Sequence, residues 1–248
     1  MLKKERQAFI IQQINIHNKV LSSDLCAQLD VSEDTVRRDL QELAEEGKLM
    51  KVHGGALAKS FHFTIESKQV YSLPEKKIIA HKAIDLIKDG MLVVISGGTT
   101  MRELVNMLPP DLTATFVTTN VPIALELLEH PNAEVIFLGN KLLKSAQMAV
   151  GAEVVQRLGQ IKADLCLLGT NSIDLNFGIS DLEWEIIEVK KAMIACAQKT
   201  VSLAISEKLN STQRLQVCSL DQVDVLITEL APSDERLTPY ARKGITIL

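Results

Sequence analysis

Aromatic side chains are scarce in this chain, 4% of 248 residues with a single tryptophan, although 46% of the residues are hydrophobic. A core of that size must be built from aliphatic side chains, and the length is sufficient for two domains. No apolar run approaches the roughly eighteen residues that a membrane helix needs, and the first residues lack the apolar segment of a secretory signal; a cytoplasmic protein without a membrane partner is expected. Cysteine is sparse as well. Cys26, Cys166, Cys196 and Cys218 are far apart, with no Cys-x-x-Cys pair and no histidine at ligand spacing. They are expected to be reduced and mostly buried, with no metal site and no cofactor. Nor is there an excess of basic charge: Lys and Arg number 27 against 31 Asp and Glu, for a net charge of -4. Most of the chain therefore does something other than coat nucleic acid.

What is present begins with Val-Ser-Glu-Asp-Thr-Val-Arg-Arg-Asp-Leu at 31–40. Ser32 is a good N-cap, and Val36, Leu40 and Leu43 then fall at i, i+4 and i+7 on one helical face, which is core. The same wheel turns Asp34, Arg38, Gln41 and Glu45 outward, with Thr35 and Arg37 on the flanks, so two guanidinium groups and a hydroxyl stand near the helix N-terminus. Helices that read a DNA groove present their first turns in this way. Upstream, 3–17 has a helical pattern carried by Phe9, Ile10, Ile14 and Ile16. A second short helix is expected over 22–29, and Asp30-Val31 forms the turn. Downstream, Gly47 reads as a helix stop, and 49–53 with Ala56-Leu57 around Gly54-Gly55 reads as a two-stranded wing. Because this segment has as many acidic as basic residues, phosphate neutralisation is expected from a local face of Lys3, Lys4, Arg6, Arg37, Arg38, Lys48, Lys51 and His53.

The run Val-Ser-x-x-Thr-Val-Arg-Arg-Asp-Leu, then Gly-x-Leu, then His-Gly-Gly-Ala resembles the DeoR family of bacterial transcriptional regulators. That resemblance implies double-stranded operator DNA as a partner, with Ser32, Thr35, Arg37 and Arg38 as helix contacts and Lys51, His53 and Gly54 as wing contacts. Arg38 is the residue expected at a base edge, since bidentate arginine is the commonest reader of guanine.

Residues 59–74 show no sustained period and read as a linker between a winged helix-turn-helix domain, 1–58, and a second domain, 75–248. From 76 the pattern alternates: an amphipathic helix over 76–88, an apolar strand over 91–95, a helix over 99–108, a strand over 114–118, a helix over 121–129, a strand over 133–138, a helix over 152–158, a strand over 163–168, a helix over 185–198, and strands over 200–204 and 223–227. Apolar strands alternating with helices predict a doubly wound α/β domain with a largely parallel sheet. In such sheets ligands bind outside the carboxyl ends of strands. The first strand runs into Ser96, Gly97, Gly98, Thr99 and Thr100 and then a helix, so backbone N–H groups, hydroxyls and a positive helix terminus form an anion cradle. Later strands end at Thr119-Asn120, at Gly139 followed by Lys141, and at Gly169, and Lys208 adds charge. These groups suit a phosphorylated sugar.

The family resemblance extends over this domain, through Gly-Thr-Thr at 98–100, Thr-Asn at 119–120, Gly139, Gly151, Asp164, Gly169, Gly178 and Val-Lys-Lys-Ala-Met at 189–193. It implies a fold similar to ribose-5-phosphate isomerase and a domain that senses a phosphorylated sugar. Three positions depart from the pattern: Ser96 stands where an acidic residue is common, Asn140 replaces a second glycine, and Ile205 occupies the aspartate position of Asp-x-x-Lys. Losing two carboxylates implies a differently substituted ligand, or one held mainly by its phosphate.

Three functions remain open on the sequence: a ligand-controlled repressor of carbohydrate metabolism genes, a sugar-phosphate isomerase-like enzyme with an added winged helix, and a constitutive DNA binder whose α/β domain only oligomerises. The first is expected, with no catalytic residue. An isomerase needs a tuned general base; Asp181, Glu183 and Glu185 read instead as acids heading a helix, complementing its dipole. Lys190-Lys191 reads as the solvated edge of a helix and Trp184 as a packing residue. Of the histidines only His53, in the wing, is given a role. Two-fold operators call for two recognition helices, so a homodimer or larger homo-oligomer held by the α/β domain is expected.

Overall fold

A computed structural model describes residues 1–17, 19–58 and 70–248; most of the expected linker, and His62 within it, lies outside the described residues. Two compact units are resolved, Met1–Tyr71 and Ser72–Leu248. No helix among the described residues is long and apolar enough to cross a membrane.

The first unit runs α1 (Lys3–His17), β1 (Lys19–Leu21), α2 (Ser22–Leu29), α3 (Glu33–Glu45), β2 (Leu49–Val52) and β3 (Gly55–Ala58). Ile10, Ile14, Leu25, Leu29, Val36, Leu40, Leu43 and Leu49 form one aliphatic core. Asp30 supplies the turn between α2 and α3 in a left-handed conformation, φ 51°, which Asp tolerates better than most residues. The wing is three-stranded rather than two, because β1 pairs antiparallel with β3 on the side away from β2. Three residues between two helices are too short to show a period of two, which is why β1 is not visible in the sequence. Gly55 is required there, since a Cβ at that position would lie 2.0 Å from the Val20 carbonyl oxygen.

The second unit is built on a seven-stranded parallel sheet. Its chain order is α4 (Leu73–Ile84), β4 (Leu92–Ile95), α5 (Thr99–Asn106), β5 (Thr115–Thr118), α6 (Val121–Leu128), β6 (Glu134–Phe137), β7 (Lys141–Leu143), β8 (Met148–Val150), α7 (Ala152–Leu158), β9 (Ala163–Gly169), β10 (Ser172–Asp174), β11 (Gly178–Asp181), α8 (Trp184–Ala195), β12 (Ala197–Leu203), β13 (Leu215–Cys218), β14 (Val225–Ile227), α9 (Thr238–Ala241) and β15 (Thr246–Ile247). Spatial order in the sheet is β15-β14-β12-β9-β4-β5-β6. After β4 the chain lays β5 and β6 to one side, then crosses back to place β9 and β12 on the other, so the boundary between β4 and β9 is the switch point of a doubly wound fold. Val94 and Val117 join the core of α7 and α8 on one face.

Several boundaries differ from the periodicity reading, among them the end of α4 at Ile84 and the start of β12 at Ala197. Helix α4 starts at Leu73, with Pro74 in its first turn, where proline costs no hydrogen bond. Helix α8 stops at Ala195 because Ala197 already pairs with Ala163 in the parallel ladder. The β7–β8 hairpin and the small sheet β10-β11-β13 are absent from the sequence reading. They are three- and four-residue strands, too short to show a period of two, and β13 pairs with a strand far back along the chain. Trp184, expected in packing, is 66% exposed at the first residue of α8.

Candidate functional site

In the first unit, Ser32 Oγ accepts the Thr35 N–H at 3.3 Å and shares a hydroxyl–hydroxyl bond with Thr35 at 2.9 Å, capping α3. Asp34 lies in the same first turn and gathers both arginines, Arg37 at 3.2 Å and Arg38 at 2.7 Å. Both guanidinium groups are exposed, so these bonds orient them at little energetic cost to exchange for phosphate or base. On the wing, Lys51 Nζ donates to Gln41 Oε1 of α3 at 2.9 Å, and the tip is Gly54, φ 76°, whose carbonyl accepts from Ser22 N at 2.8 Å. His53 precedes it, exposed.

The basic face is smaller than the sequence suggests. Arg6 is paired with Asp39 of α3, a residue 1% exposed, and Lys3 pairs with Glu42 at 2.7 Å. These two cations cross-link α1 to α3. The Asp39 bond, backed by the Asp39 and Glu42 charges, holds the Arg6 pKa above its ordinary value against the desolvation that lowers it.

In the second unit the carboxyl ends of β4, β5 and β9 meet. Ser96 is buried; its N–H donates to Leu167 O at 3.0 Å, and its Oγ accepts the Gly169 N–H at 2.7 Å. Gly97 packs so closely on Asn120 that a Cβ would lie 2.3 Å from Nδ2, and a Cβ on Gly169 would lie 2.7 Å from Gly97 O. Small residues at 97 and 169 are thus what lets three strand ends touch. Gly98 then turns with φ 116° to start α5 at Thr99, leaving the first N–H groups of that helix without intrahelical acceptors beside the loop. Thr119 is 1% exposed, and its Oγ1 has no hydrogen-bond partner among the described residues, a donor and acceptor available to a ligand.

Three lysines come to this place, two of which the sequence reading missed. Lys190 of α8 is buried; its Nζ contacts Asp181 Oδ2 at 2.8 Å and Gly169 O at 3.1 Å. Lys208, in a 3-10 turn after β12, donates to Thr170 O at 2.8 Å. Burial, then the like charges of Lys76 and Lys190, lower the Lys208 pKa to about 7 against the opposing pull of Asp181. Lys76 on α4 is buried, and desolvation lowers its pKa to about 8 although Glu103, Glu75 and Glu207 oppose it. Burial alone would raise the Asp181 carboxyl, but the Lys190 charge and bond, the Leu182 N–H and Lys208 overcome it and hold it below the usual range. Lys190 and Lys208 thus converge on the buried Asp181, while Lys76, facing the charges of Glu103, Glu75 and Glu207, lies near enough to Lys208 to depress its pKa.

The sequence did carry a signal for the missed pair. Lys76 sits at i, i+3, i+4 and i+7 with Ile79, Ala80 and Ala83, and Lys190 lies between Ile186 or Ile187 and Met193 or Ile194: each is a cation on the apolar stripe of its helix. Lys190 is therefore not a solvated edge; Lys191, exposed and paired with Glu188, is. Asp181 does not head α8 but ends strand β11.

Other expected contacts are placed elsewhere. The Asn120 amide is occupied, its Oδ1 capping α6 at Ile123 N and its Nδ2 donating to Ala146 O. Gly139 follows the outermost strand, β6, and Lys141 is exposed on β7, paired with Glu185 at 2.9 Å. Ile205 is 2% exposed and packs where the family pattern has a carboxylate.

A capped, arginine-bearing helix with a wing, followed by a doubly wound α/β domain, defines a DNA-binding transcriptional regulator of two modules. Comparison with known proteins gives the same class. The DeoR-like helix-turn-helix domain matches residues 6–61 and the DeoR C terminal sensor domain residues 72–230; the chain belongs to the DeoR family. It is 31% identical over 254 residues to the HTH-type transcriptional repressor GlcR of Bacillus subtilis, covering 100% of this chain and 96% of that protein. It is 30% identical over 251 residues to the HTH-type transcriptional regulator GlpR of Haloferax volcanii, covering 100% and 98%. Among solved structures, ribose 5-phosphate isomerase A from Methanocaldococcus jannaschii aligns with 54% of this chain and 53% of that chain, at 18% identity and a TM-score of 0.39.

Proposed function

We propose that this regulator is a repressor of carbohydrate metabolism genes, acting as a homodimer or larger homo-oligomer, whose operator binding is modulated by a phosphorylated sugar. The observation that carries the proposal is the convergence of Lys190 and Lys208 on Gly169 O, Thr170 O and the buried Asp181, at the end of β9 next to the loop 96–100. The phosphate is taken by that loop, the start of α5 and the lysines, and Thr119 and Gly169 border the hydroxyl-bearing part. With Ile205 and Ser96 in place of two acids, recognition falls mainly on the phosphate. Ligand binding redistributes two arrangements of the protein by its differential affinity for them, and only that difference changes operator affinity.

An isomerase role has less support. Glu183 and Glu185 are engaged by Ser145 and Lys141, and Asp181 is held ionised in its pair with Lys190 rather than tuned toward neutrality.

The test is binding of the purified protein to its own promoter DNA at stated salt, with and without a panel of phosphorylated sugars. Release by one of them, abolished by Thr99→Val with operator binding intact, is the expected result. Binding indifferent to the whole panel sinks the sensing half of the proposal and favours a constitutive binder.

A further inference from the structure

The sheet of the second unit ends unequally. On one side β15 is two residues long and follows α9; on the other, β6 is four residues, Glu-Val-Ile-Phe, with no strand paired beyond it among the described residues. Ile136 is 39% and Phe137 42% exposed. Edge strands of soluble proteins are ordinarily protected by lysine, proline, a bulge or a covering segment. Here the only charge is Glu134, whose carboxylate is bonded to Thr115 Oγ1 of the neighbouring strand at 3.0 Å.

The backbone shows which groups are free to pair. Glu134 N and Leu138 N donate to Ala114 O and Thr118 O across the ladder with β5. In a parallel strand the N–H and C=O of one residue point to the same side and alternate along the chain, so those of Val135 and Phe137 point away from β5. Helix α6 continues the apolar surface. Glu126 is ion-paired with Arg102 of α5, fixing the side of α6 that faces α5. Ile123, Ala124 and Leu127 face inward. The remaining side, away from α5 and over the sheet edge, carries Leu125 and Leu128, 57% and 66% exposed. Register places Phe137 beside Thr118 and opposite in face to Ile136, which aligns with Val117 of the α7–α8 core; Phe137 therefore shares the α6 face with the two leucines.

We infer that β6 is the surface through which a second copy of this chain docks, by antiparallel strand addition about a two-fold axis passing between Ile136 and the partner's Ile136. This inference rests on the reading of the protein as a homodimeric repressor and names the surface responsible. A two-fold axis at residue 136 sets Val135 opposite the partner's Phe137, and Phe137 opposite the partner's Val135. The outward groups of both residues face each other, so each becomes a hydrogen-bonded pair, and Ile136 becomes the closely spaced non-hydrogen-bonded pair between them. Leu125, Leu128 and Phe137 of one subunit then meet their copies along one face of the joined sheets. At about 200 Å² for a large side chain, the four exposed apolar residues offer on the order of 400 Å², half of the roughly 800 Å² that each partner contributes to a standard interface. The arrangement is isologous and closes on itself, and the two-residue β15 leaves the far edge little ladder by which to propagate.

The test is the oligomeric state of the full chain by sedimentation, with three variants. Val135→Pro removes an outward N–H while leaving every bond to β5 intact, since proline is tolerated on an edge strand at that position. Phe137→Lys places a charge in the joint. Ile136→Cys puts two thiols at the Cα spacing of a non-hydrogen-bonded pair, about 4.5 Å, within disulfide reach. Expected are a wild-type dimer, about 100-fold weaker self-association in Val135→Pro and Phe137→Lys with the far-UV circular dichroism of the folded wild type retained, and a cross-linked dimer from Ile136→Cys on oxidation. A monomeric wild type, or a dimer that keeps its affinity in both edge variants, or a dimer whose Ile136→Cys form does not cross-link, overturns the inference. Sugar-phosphate binding, followed by thermal shift in the same variants, reads the pocket separately, so a failure there is distinguishable from a failure here.

Discussion

Replacing Asp181 by Asn tests whether the pocket is built around an excess of buried positive charge. Asp181 and Lys190 face each other at 2.8 Å with each side chain 10% exposed. Removing one member of a buried pair strands the other charge and costs about 3–5 kcal/mol. For a domain of this size each kcal/mol moves the midpoint by roughly 2–4 °C, so the unfolding transition of the α/β unit falls by roughly 6–20 °C. The same substitution removes the carboxylate that neutralises Lys190 and repels an entering phosphate, so the variant gains more from the ligand than the wild type does. At about 100 times Kd a ligand returns roughly 2.7 kcal/mol, enough to restore much of the loss. The assay is differential scanning fluorimetry of both proteins at pH 7 over a titration of inorganic phosphate and of sugar phosphates. A midpoint lowered by less than about 3 °C would show that the pair is not holding buried charge. Phosphate stabilising the wild type but not Asp181→Asn would refute the placement of the anion among these lysines.

Three further outcomes follow from the same geometry. Arg38→Ala costs about 1–3 kcal/mol on operator and relaxes sequence preference, whereas Lys51→Ala weakens operator and random DNA alike; equal losses on both DNAs for Arg38→Ala would remove its base-reading role. The lowered lysines make anion affinity pH-dependent. Lys208 near 7 and Lys76 near 8 carry their charge below those values, so affinity for a phosphate dianion declines as pH rises from 7 to 9, and these lysines take up protons when the ligand binds. The same depression means the charged Lys208 opposes folding of the unliganded protein at and below pH 7, a cost lifted as pH climbs toward the ordinary lysine value; calorimetry in buffers of different ionisation enthalpy, finding no proton uptake near pH 8, would contradict this. Gly169→Ala drives a methyl to 2.7 Å from Gly97 O and 3.3 Å from Ser96 Oγ, displacing the loop. Sugar-phosphate affinity is expected to drop at least about tenfold, the 1.4 kcal/mol that a modest overpacking strain supplies, with operator binding retained in a gel-shift assay.

The reading helix shows how much a local pattern can carry. Ser32, Val36, Leu40 and Leu43 state a cap and an apolar stripe within a few turns of one chain segment, and the observed α3 follows them. The alternation of apolar strands and amphipathic helices is local in the same sense, and so is the turn chemistry of Gly54 and Gly98. These features depend on neighbours three or four residues away, which the sequence displays directly.

Which strand ends meet, and which charges share a pocket, depends instead on pairings between distant segments. The β4–β9 contact that brings Gly169 against Gly97 joins segments between which two helices and four strands of the domain intervene before α7 leads into β9. Lys190 and Asp181 lie close along the chain, yet one belongs to a helix and the other to a strand, and their pair forms only because α8 packs back over β9. Lys141 and Lys208 look equivalent as basic residues beside strand ends; the fold turns the first outward to Glu185 and the second inward to Thr170 O. Arg6 is likewise taken from a DNA-facing role by Asp39 on another helix. By itself the sequence determined the long helices, most strands of the parallel sheet, the family and the chemistry of the loop, because these are encoded in short-range periodicity and motif. Only the tertiary structure decided which cations are buried together and which sheet edge stays open, because burial and Coulomb interaction depend on distance through space, not along the chain.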